Sequence, residues 1–447
     1  MNKNIAEFAA ELTFDNLPQP VIRVLKYSFI DAIACALYGS TKSWSKILRD
    51  VVLEDESTGQ CAPPSIPNTN LPASSAALLL GAYCHAFEQD NLRFPGAGVH
   101  PGATIMCPLL ALTQQHKLSG KQLLVSAAAG LEAMSRLGVA TKHSLERQGF
   151  HAPGVIGPVG GAIACASALG AGPRQILNAC GIAASMSSGL LAFSKSEGGG
   201  MIKRFHLGRS AEAAVRAAQL AMKGFEGPET AIDGQFGLLE AFCPVYEKDA
   251  LDEALGSRWE SLAICFKTFP IHITAHGPLM AALELMNEHE FAPADITKVI
   301  IFGSKKIASH HDIKYPSDIM QAQYSVPFCV AAGLVIDLRD PDNFSDNLLE
   351  EQSIQQLVKK IKVCEIKKDA KHSWHSRVSI ELKDGQKLHK DAVQFRGMPS
   401  KPMRDVEISD KFWTLTKGVK GSEKFLSAFL QLETLKQLPD LKFFIVS

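Results

Sequence analysis

Small apolar residues dominate the first half of the chain, and their spacing is that of helices rather than of strands. Helical runs are predicted at 71–87, 119–139, 173–189 and 207–224. Pro173 stands where a first-turn proline is tolerated, and Gly189 and Gly224 stand where helices commonly end. The run 211–221 carries small residues along one face, so we expect this helix to lie inside a bundle.

The pattern changes after about Cys265, where short β-type runs enter. Strands are predicted at 296–302, 360–366, 377–382 and 387–395, and helices at 277–290, 321–336, 405–415 and 421–438. Asp384-Gly385 predicts the turn of a hairpin between the last two strands. We predict a mostly α protein with a large all-helical domain at 1–264. A smaller α+β domain is inserted at 265–398, and C-terminal helices at 399–447 return to the helical domain.

Composition excludes several classes of protein. The 447 residues favour two domains, and 46 Lys plus Arg balance 46 Asp plus Glu, which argues against a nucleic-acid or membrane-surface partner. The first twenty residues lack a signal peptide's basic start and apolar core. We identify 155–169 as the longest apolar stretch. It is broken by glycines and Pro158 and is too short to span a bilayer. We therefore predict a cytoplasmic protein without a membrane partner.

The ten cysteines are scattered among apolar residues and form no Cys-x-x-Cys pair. A reduced compartment fits this pattern better than a disulfide framework, and no metal is predicted because zinc-ligand spacing is lacking. No phosphate-binding Walker loop, dinucleotide-binding glycine motif or Gly-x-Ser-x-Gly elbow is found. Nucleotide binding is therefore poorly supported.

Lys267 and His272 carry the first candidate chemistry, in the run Lys267-Thr-Phe-Pro-Ile-His272, with a further imidazole at His276. This proline-interrupted turn precedes a predicted helix, where cationic groups are placed to bind a carboxylate and to move a proton. The alternative is an exposed loop lysine beside a core histidine. Apolar neighbours favour the functional interpretation, because partial burial strengthens an ionic contact with a bound carboxylate.

Three further basic clusters lie beside glycine or proline. They are His85 to His100, His151, and Lys203 to His206. The last one precedes the Ala-rich helix and is typical of an anion cradle at a helix N-terminus. Each cluster alone is also compatible with an ordinary loop-to-helix junction or a solvated helix end. Together they predict one site for a small, highly anionic molecule.

Taken in order, these segments resemble the MmgE/PrpD family, which includes 2-methylcitrate dehydratases, cis-aconitate decarboxylases and iminodisuccinate epimerases. The matching segments are 27–39, His100-Pro-Gly-Ala, Gly149-Phe-His151, 203–213, 224–228, 267–272, 322–327 and 397–403. The resemblance covers nearly the whole chain. It implies a large helical domain, a smaller α+β lid domain and a homodimer. It also implies a cleft in which a di- or tricarboxylate loses a proton beside a carboxylate, without a metal or organic cofactor.

By position, the resemblance implies a set of site residues. The catalytic residues that it implies are His100, His151, Lys203, Lys267 and His272, with Tyr324 as a substrate-binding addition. From their own chemistry we add Glu88, Asp90, Arg93 and His206 as expected substrate-binding residues. His100 and His151 would transfer protons, with His272 or Tyr324 as the complementary partner. The family's acidic His-x-x-Asp-x-Asp-Asp-Thr run departs here, since Asn91 and Leu92 replace its last Asp and Thr and extra residues precede His100. The substrate therefore stays open.

We predict a cofactor-independent lyase, of dehydratase or decarboxylase type, acting on a small di- or tricarboxylate by proton abstraction next to a carboxylate. One alternative is an epimerase of a dicarboxylate such as iminodisuccinate, which needs bases on both faces of the carbon. Another is a non-catalytic organic-acid-binding protein. A product of unchanged mass would indicate the epimerase. Binding without solvent-proton exchange would indicate the binding protein.

Overall fold

The computed structural model describes residues 3–55, 58–63, 66, 69–196, 198–366, 374–438 and 441. The backbone divides into two compact units. Of the described residues, those within 1–86, 90–266 and 404–447 form the first unit, and those within 87–89 and 267–403 form the second. The sequence placed these divisions at 264/265 and 398/399, and it gave no sign that 87–89 would join the second unit.

Helices form the body of the first unit. Their bounds are α1 Lys3–Glu11, α2 Gln19–Ser40, α3 Ser43–Glu54, α4 Ala73–Cys84, α5 Cys107–Gln115, α6 Gly120–Ala140, α7 Ser144–Arg147, α8 Ala152–Ala168, α9 Pro173–Ser185, α10 Ile202–Met222 and α11 Leu238–Phe242. A π-helical segment, Gly102–Met106, runs directly into α5. A short antiparallel ribbon pairs β1 (Leu92–Arg93) with β2 (Ile264–Cys265).

The core of this unit lies where α8 packs against α6 and α10. Small residues permit the close approach: a Cβ at Gly130 of α6 would fall 2.6 Å from the carbonyl oxygen of Gly160 in α8. The small face predicted for α10 is confirmed, because Ala211, Ala214 and Ala218 are fully buried. Side chains larger than alanine at these contacts would push the helix axes apart.

Helix α6 is long and apolar enough, by length and composition, to cross a membrane. Of its most apolar window, 89% is buried inside the protein, as in the core helix of a globular unit. In the sequence, the apolar run of α6 is shorter than that of 155–169 because Glu132 and Arg136 interrupt it. A single helix of this kind is weak evidence for a membrane span.

The second unit is an α+β structure. It contains α12 Ile273–His289, β3 Ile296–Gly303, α13 Lys305–His310, α14 Ile319–Tyr324, α15 Val326–Val335, α16 Asn347–Glu350, α17 Gln352–Lys360, β4 Ile361–Glu365, β5 Ser376–Leu382 and β6 Lys387–Ala392. The strand order is β4-β3-β5-β6, with β3 and β4 parallel and the other neighbours antiparallel. The predicted hairpin is confirmed, and Gly385 at its turn has φ +87°, which glycine adopts without strain.

The C-terminal helices α18 (Asp405–Leu415) and α19 (Ser422–Leu430) belong to the first unit. Their aromatic rings pack together, with Phe412 parallel to Phe425 and Phe425 stacked on Phe429 at 4.0 Å between ring centroids. Phe429 also meets Phe29 of α2. The predicted class, mostly α with a separate smaller α+β unit, is confirmed.

Candidate active site

In the first unit, a buried carboxylate joins two imidazoles. His85 Nδ1 lies 2.9 Å from Asp90 Oδ1, and His100 Nδ1 lies 3.0 Å from Asp90 Oδ2. Asp90 and His85 are completely buried, whereas the His100 side chain is 12% exposed. An ionised carboxylate only accepts hydrogen bonds, so we assign the donor hydrogen to Nδ1 of each ring. Each Nε2 then carries the lone pair that can accept a proton.

Local backbone contacts bring these three residues together. His85 follows the end of α4, and the chain then enters the β1–β2 ribbon beyond Asp90. The amide of Arg93 donates to the carbonyl of Val99, which closes the inserted loop and returns the chain to His100. The insertion before His100 is thus accommodated as a closed loop.

Asn91 fixes the position of the chain next to Asp90. Its amide N–H donates to Asp31 Oδ2 at 2.9 Å, and its side-chain oxygen accepts from the N–H of Gly102 at 2.9 Å. Asp31 in turn forms a buried ion pair with Lys411 of α18. The asparagine that departs from the family pattern therefore has a structural role: it ties the segment carrying Asp90 to α2 and to the start of the π-helical segment.

The electrostatics of the cluster keep Asp90 ionised. Burial opposes ionisation, but the charges and hydrogen bonds of His85 and His100 outweigh it and hold the Asp90 pKa well below its usual value. Burial also lowers the pKa of His85 well below its usual value, against the opposing effect of Asp90. At neutral pH the pair of Asp90 and His85 therefore carries one negative charge.

His151 and His206 form a second pair of imidazoles in the first unit. Their Nδ1 atoms lie 3.1 Å apart, and the ring of Phe193 stands 5.4 Å from His151, edge to face. His151 is the N-cap residue of α8 and is buried, while His206 on α10 is half-buried. Burial lowers the pKa of both, assisted at His151 by His206 and at His206 by Lys203. The His151 ring is centred 6.5 Å from that of His85, which links the two imidazole groups.

Lys203 and Arg204 lie in the first turn of α10, not before it as predicted. Helix α10 begins at Ile202, about five residues earlier than the sequence indicated, so these side chains belong to the helix itself. Lys203 is buried, and its charge lowers the pKa of both His85 and His206, which places it within electrostatic reach of both imidazole groups. Arg204 Nε donates to the carbonyl of Ala86 and so fixes α10 to the chain after α4.

The guanidinium of Arg93 is paired with groups of its own chain in the first unit. Its guanidinium contacts Glu260 through Nη2 at 2.5 Å and Nε at 2.9 Å and donates to the carbonyl of Pro95. Burial opposes ionisation of Glu260, but Arg93 outweighs it and lowers the Glu260 pKa. The predicted use of Arg93 to hold a substrate carboxylate therefore disagrees with this arrangement, in which Arg93 has a carboxylate of its own chain.

The second unit contains its own buried polar cluster. Lys267 Nζ donates to the carbonyl of Glu88 at 2.9 Å and lies 3.1 Å from its carboxylate, and both side chains are 1% exposed. The hydroxyl of Tyr324 lies 3.5 Å from the other carboxylate oxygen of Glu88. Glu88 has φ +56°, a left-handed conformation that Lys267 helps to hold. Glu88 therefore neutralises Lys267 in this structure, rather than standing as a separate substrate ligand.

His272, His311 and Tyr324 stack beside this cluster. The rings of His272 and His311 are 4.5 Å apart at 23°, and Tyr324 lies 4.7 Å from His272. His272 is the N-cap of α12, which begins at Ile273 rather than at 277, and its Nδ1 contacts Thr274 Oγ1 at 2.8 Å. The side-chain amide of Gln323 donates to the carbonyls of Phe87 and Pro270 and so joins these two segments of the second unit.

His276, the further imidazole of the first motif, lies in the core of the second unit. It is completely buried between the rings of Phe269 and Phe395, each centred 5.6 Å away. This position is that of a core histidine packed among aromatic rings.

Among the described residues, His85, Asp90 and His100 form one group that could hold a metal ion, with ligand atoms within 4.8 Å of one another. Histidine nitrogen and carboxylate oxygen are suitable ligands for zinc. In this structure the Nδ1 atoms of His85 and His100 are hydrogen-bonded to the two carboxylate oxygens of Asp90. We therefore interpret the group as a hydrogen-bonded network.

Several residues of these clusters were missing from the sequence-based set of site residues. His85 was visible in the motif but was not chosen, and His311 gave no signal beyond its neighbour His310. Asp31 lies inside a segment that matched the family, yet its partner Lys411 is 380 residues away. Partners so distant in sequence leave no local pattern from which they could be found.

Comparison with known proteins accounts for almost the whole chain. The MmgE/PrpD N-terminal domain matches residues 3–250, and the MmgE/PrpD C-terminal domain matches residues 269–433. A cis-aconitate decarboxylase of Aspergillus terreus is 28% identical over 95% of this chain and 91% of its own length. The cis-aconitate decarboxylases of Mus musculus and Homo sapiens are each 25% identical, over 96% and 92% of this chain and 89% and 88% of their own. The two domain matches show that this chain belongs to the MmgE/PrpD family.

Proposed function

We propose that the protein is a cofactor-independent lyase that decarboxylates a small di- or tricarboxylate of the cis-aconitate type. The observation that carries this proposal is the Asp90 carboxylate hydrogen-bonded to His85 and His100, in a unit that also buries Lys203 in the first turn of α10. The relatives named cis-aconitate decarboxylases, which match the chain over nearly its full length, support the same reaction class.

Decarboxylation of such an acid needs electrostatic stabilisation and one proton. In cis-aconitate, the bond to the carboxylate on the methylene carbon breaks and CO2 leaves. The electron pair forms a new double bond at that carbon, and the old double bond moves charge to the former vinyl carbon. A proton added there completes methylenesuccinate. Fixed cations that face the developing charge lower the barrier to this step, because they need no reorganisation during the reaction.

The residues of the first unit have complementary roles in this proposal. Lys203 attracts the carboxylates and stabilises the carbanion. His100, held through Nδ1 by Asp90, first takes up a proton at Nε2 and then delivers that proton from Nε2 to the reacting carbon. His151, in the neighbouring pair with His206, stands as a second proton donor. In the second unit, Lys267 is paired with Glu88, so it has no substrate contact in this proposal.

The proposal is tested by offering the purified protein a panel of acids and measuring the mass of each product. We expect cis-aconitate to lose the mass of CO2, and we expect a chelator to leave the rate unchanged because the cluster is hydrogen-bonded. Loss of water from 2-methylcitrate would move the assignment to a dehydratase. Exchange of a carbon-bound proton of iminodisuccinate without change of mass would move it to an epimerase.

Variants separate the proposed site from general effects. His100→Gln should lower the decarboxylation rate roughly 100-fold or more, since general acid–base catalysis contributes at least that much. His116→Gln is the matched control, because His116 is exposed after α5 and should behave as the native protein does. Equal rates in the two variants would reject the assignment of His100.

Assembly and location stay predictions. The family resemblance implies a homodimer, which light scattering of the purified protein would measure. A reducing cytoplasm suits the ten cysteines, all of which are free thiols and nine of which are buried.

A further inference from the structure

The contact between His151 and His206 requires the two rings to differ in tautomer. Their Nδ1 atoms are 3.1 Å apart, a hydrogen-bond distance, and two hydrogens or two lone pairs cannot face each other there. One ring must therefore donate from Nδ1 and carry its lone pair on Nε2. The other ring must accept at Nδ1 and carry its hydrogen on Nε2.

The two rings differ in their access to solvent. His151 is buried, and its backbone is fixed by a hydrogen bond from its amide to the carbonyl of Gly189 and by its place at the start of α8. His206 is half-buried and follows the exposed Phe205 on α10. Phe193 stands beside both rings, 5.4 Å from His151 and 6.0 Å from His206. His206 is therefore the member of the pair that can exchange a proton with water.

We propose that His151 and His206 form a proton relay, in which His206 takes a proton from solvent and passes a proton to His151. This inference rests on the proposed function, because decarboxylation consumes one proton in each turnover. It assigns His206 to proton supply, where the sequence indicated substrate binding.

The relay conserves atoms and charge. Solvent protonates Nε2 of His206, and the hydrogen on its Nδ1 passes to Nδ1 of His151. His151 then releases the hydrogen on its Nε2 toward the site, so that one proton enters and one leaves. Rotation of a ring leaves its hydrogen on the same nitrogen, so the starting tautomers return by exchange with water. His206 exchanges its ring hydrogens with solvent, and His151 exchanges with water that enters the site once the product has left.

The environment of the pair keeps both rings ready for this transfer. Burial lowers the pKa of both rings, and Lys203 lowers that of His206 further. Both imidazoles are therefore neutral at pH 7, and each can accept a proton and pass it on. A permanently charged ring could donate once but could not accept.

The first test needs no turnover. In protein labelled with 15N in its histidines, the ring-nitrogen shifts should show two neutral rings, with His206 protonated at Nδ1 and His151 at Nε2. The reverse assignment would overturn the direction of the relay. His206→Gln should change the shifts of His151. Two rings of the same tautomer, or a charged pair at pH 7, would overturn the inference whether or not the protein decarboxylates any acid.

The second test uses chemical rescue. His206→Ala should lower kcat roughly 100-fold with little change of KM, and added imidazole should restore much of the lost rate. His116→Ala, at an exposed position, should keep the native rate and gain nothing from imidazole. An unchanged kcat in His206→Ala, or a loss that imidazole does not restore, would overturn the relay. Absence of turnover in the native protein would reject the proposed function alone, and the tautomers would then decide the inference.

Discussion

Replacing Asp90 with Asn is expected to lower kcat by a factor of about 10² to 10⁴ without unfolding the protein. Asp90 accepts hydrogen bonds from Nδ1 of two imidazoles, one on each carboxylate oxygen. An asparagine side chain offers one accepting oxygen and one donating amide group. One imidazole must therefore turn its Nδ1 lone pair toward the amide, which moves its hydrogen to Nε2. If that ring is His100, its Nε2 already carries a hydrogen and can no longer take up the proton that it has to pass on.

The measurement is kcat for Asp90→Asn beside a matched histidine–aspartate pair. His375 Nε2 lies 3.0 Å from Asp391 in the second unit, where the carboxylate is 40% exposed, and Asp391→Asn should leave kcat unchanged. Asp90→Asn should also change the acid dependence of stability. Because the Asp90 pKa is depressed, its contribution is present above the ordinary pKa of about 3.9 and is lost as pH falls through the folded value. A native-like kcat in Asp90→Asn would contradict the proposed role.

Replacing Lys411 with Met is expected to lower the free energy of unfolding by about 3 to 5 kcal/mol. Lys411 and Asp31 form a buried ion pair, with side chains 7% and 1% exposed. Burial alone would lower the pKa of Lys411, but the charge of Asp31 raises it, so the lysine is charged. Its removal leaves the Asp31 carboxylate buried without its cation, and that carboxylate also receives the Asn91 amide.

Denaturant unfolding of three variants measures this effect. The double variant Lys411→Met with Asp31→Asn should recover part of the loss, because no buried charge is left unpaired. Lys390→Met is the surface control: Lys390 pairs with Glu284 and Glu288 in partly exposed positions, where an ion pair contributes about 1 kcal/mol or less. A loss at Lys411 no larger than that at Lys390 would mean that the buried pair does not hold α18 to α2.

The periodic spacing of apolar residues predicted most of the helices and strands. The spacing in 119–139 and 296–302 and the Asp384-Gly385 turn gave elements that begin and end within a few residues of α6, β3 and the β5–β6 hairpin. The starts of α10 and α12 were placed too late. Neither carries the usual Ser, Thr, Asp or Asn cap: Met201 precedes α10, and His272 caps α12 with its own ring.

The candidate site was predictable only where its partners are close in sequence. Asp90 and His100 lie ten residues apart, and one motif contained both. Arg93 and Glu260 are 167 residues apart, so the ion pair between them could not be predicted from the sequence. The same holds for Glu88, whose contact with Lys267 spans 179 residues. Ion pairs between residues so far apart in sequence form only in the folded chain, and no local sequence pattern indicates them.

The most direct test of the account is the reaction of cis-aconitate with the native protein in D2O, followed by proton NMR together with measurement of the CO2 released. We predict equal amounts of CO2 and methylenesuccinate, with one solvent deuterium on the saturated carbon of the product, and little of either from Asp90→Asn. Unchanged cis-aconitate with the native protein, or the same yield of CO2 from Asp90→Asn, would contradict a decarboxylation that depends on the Asp90 cluster.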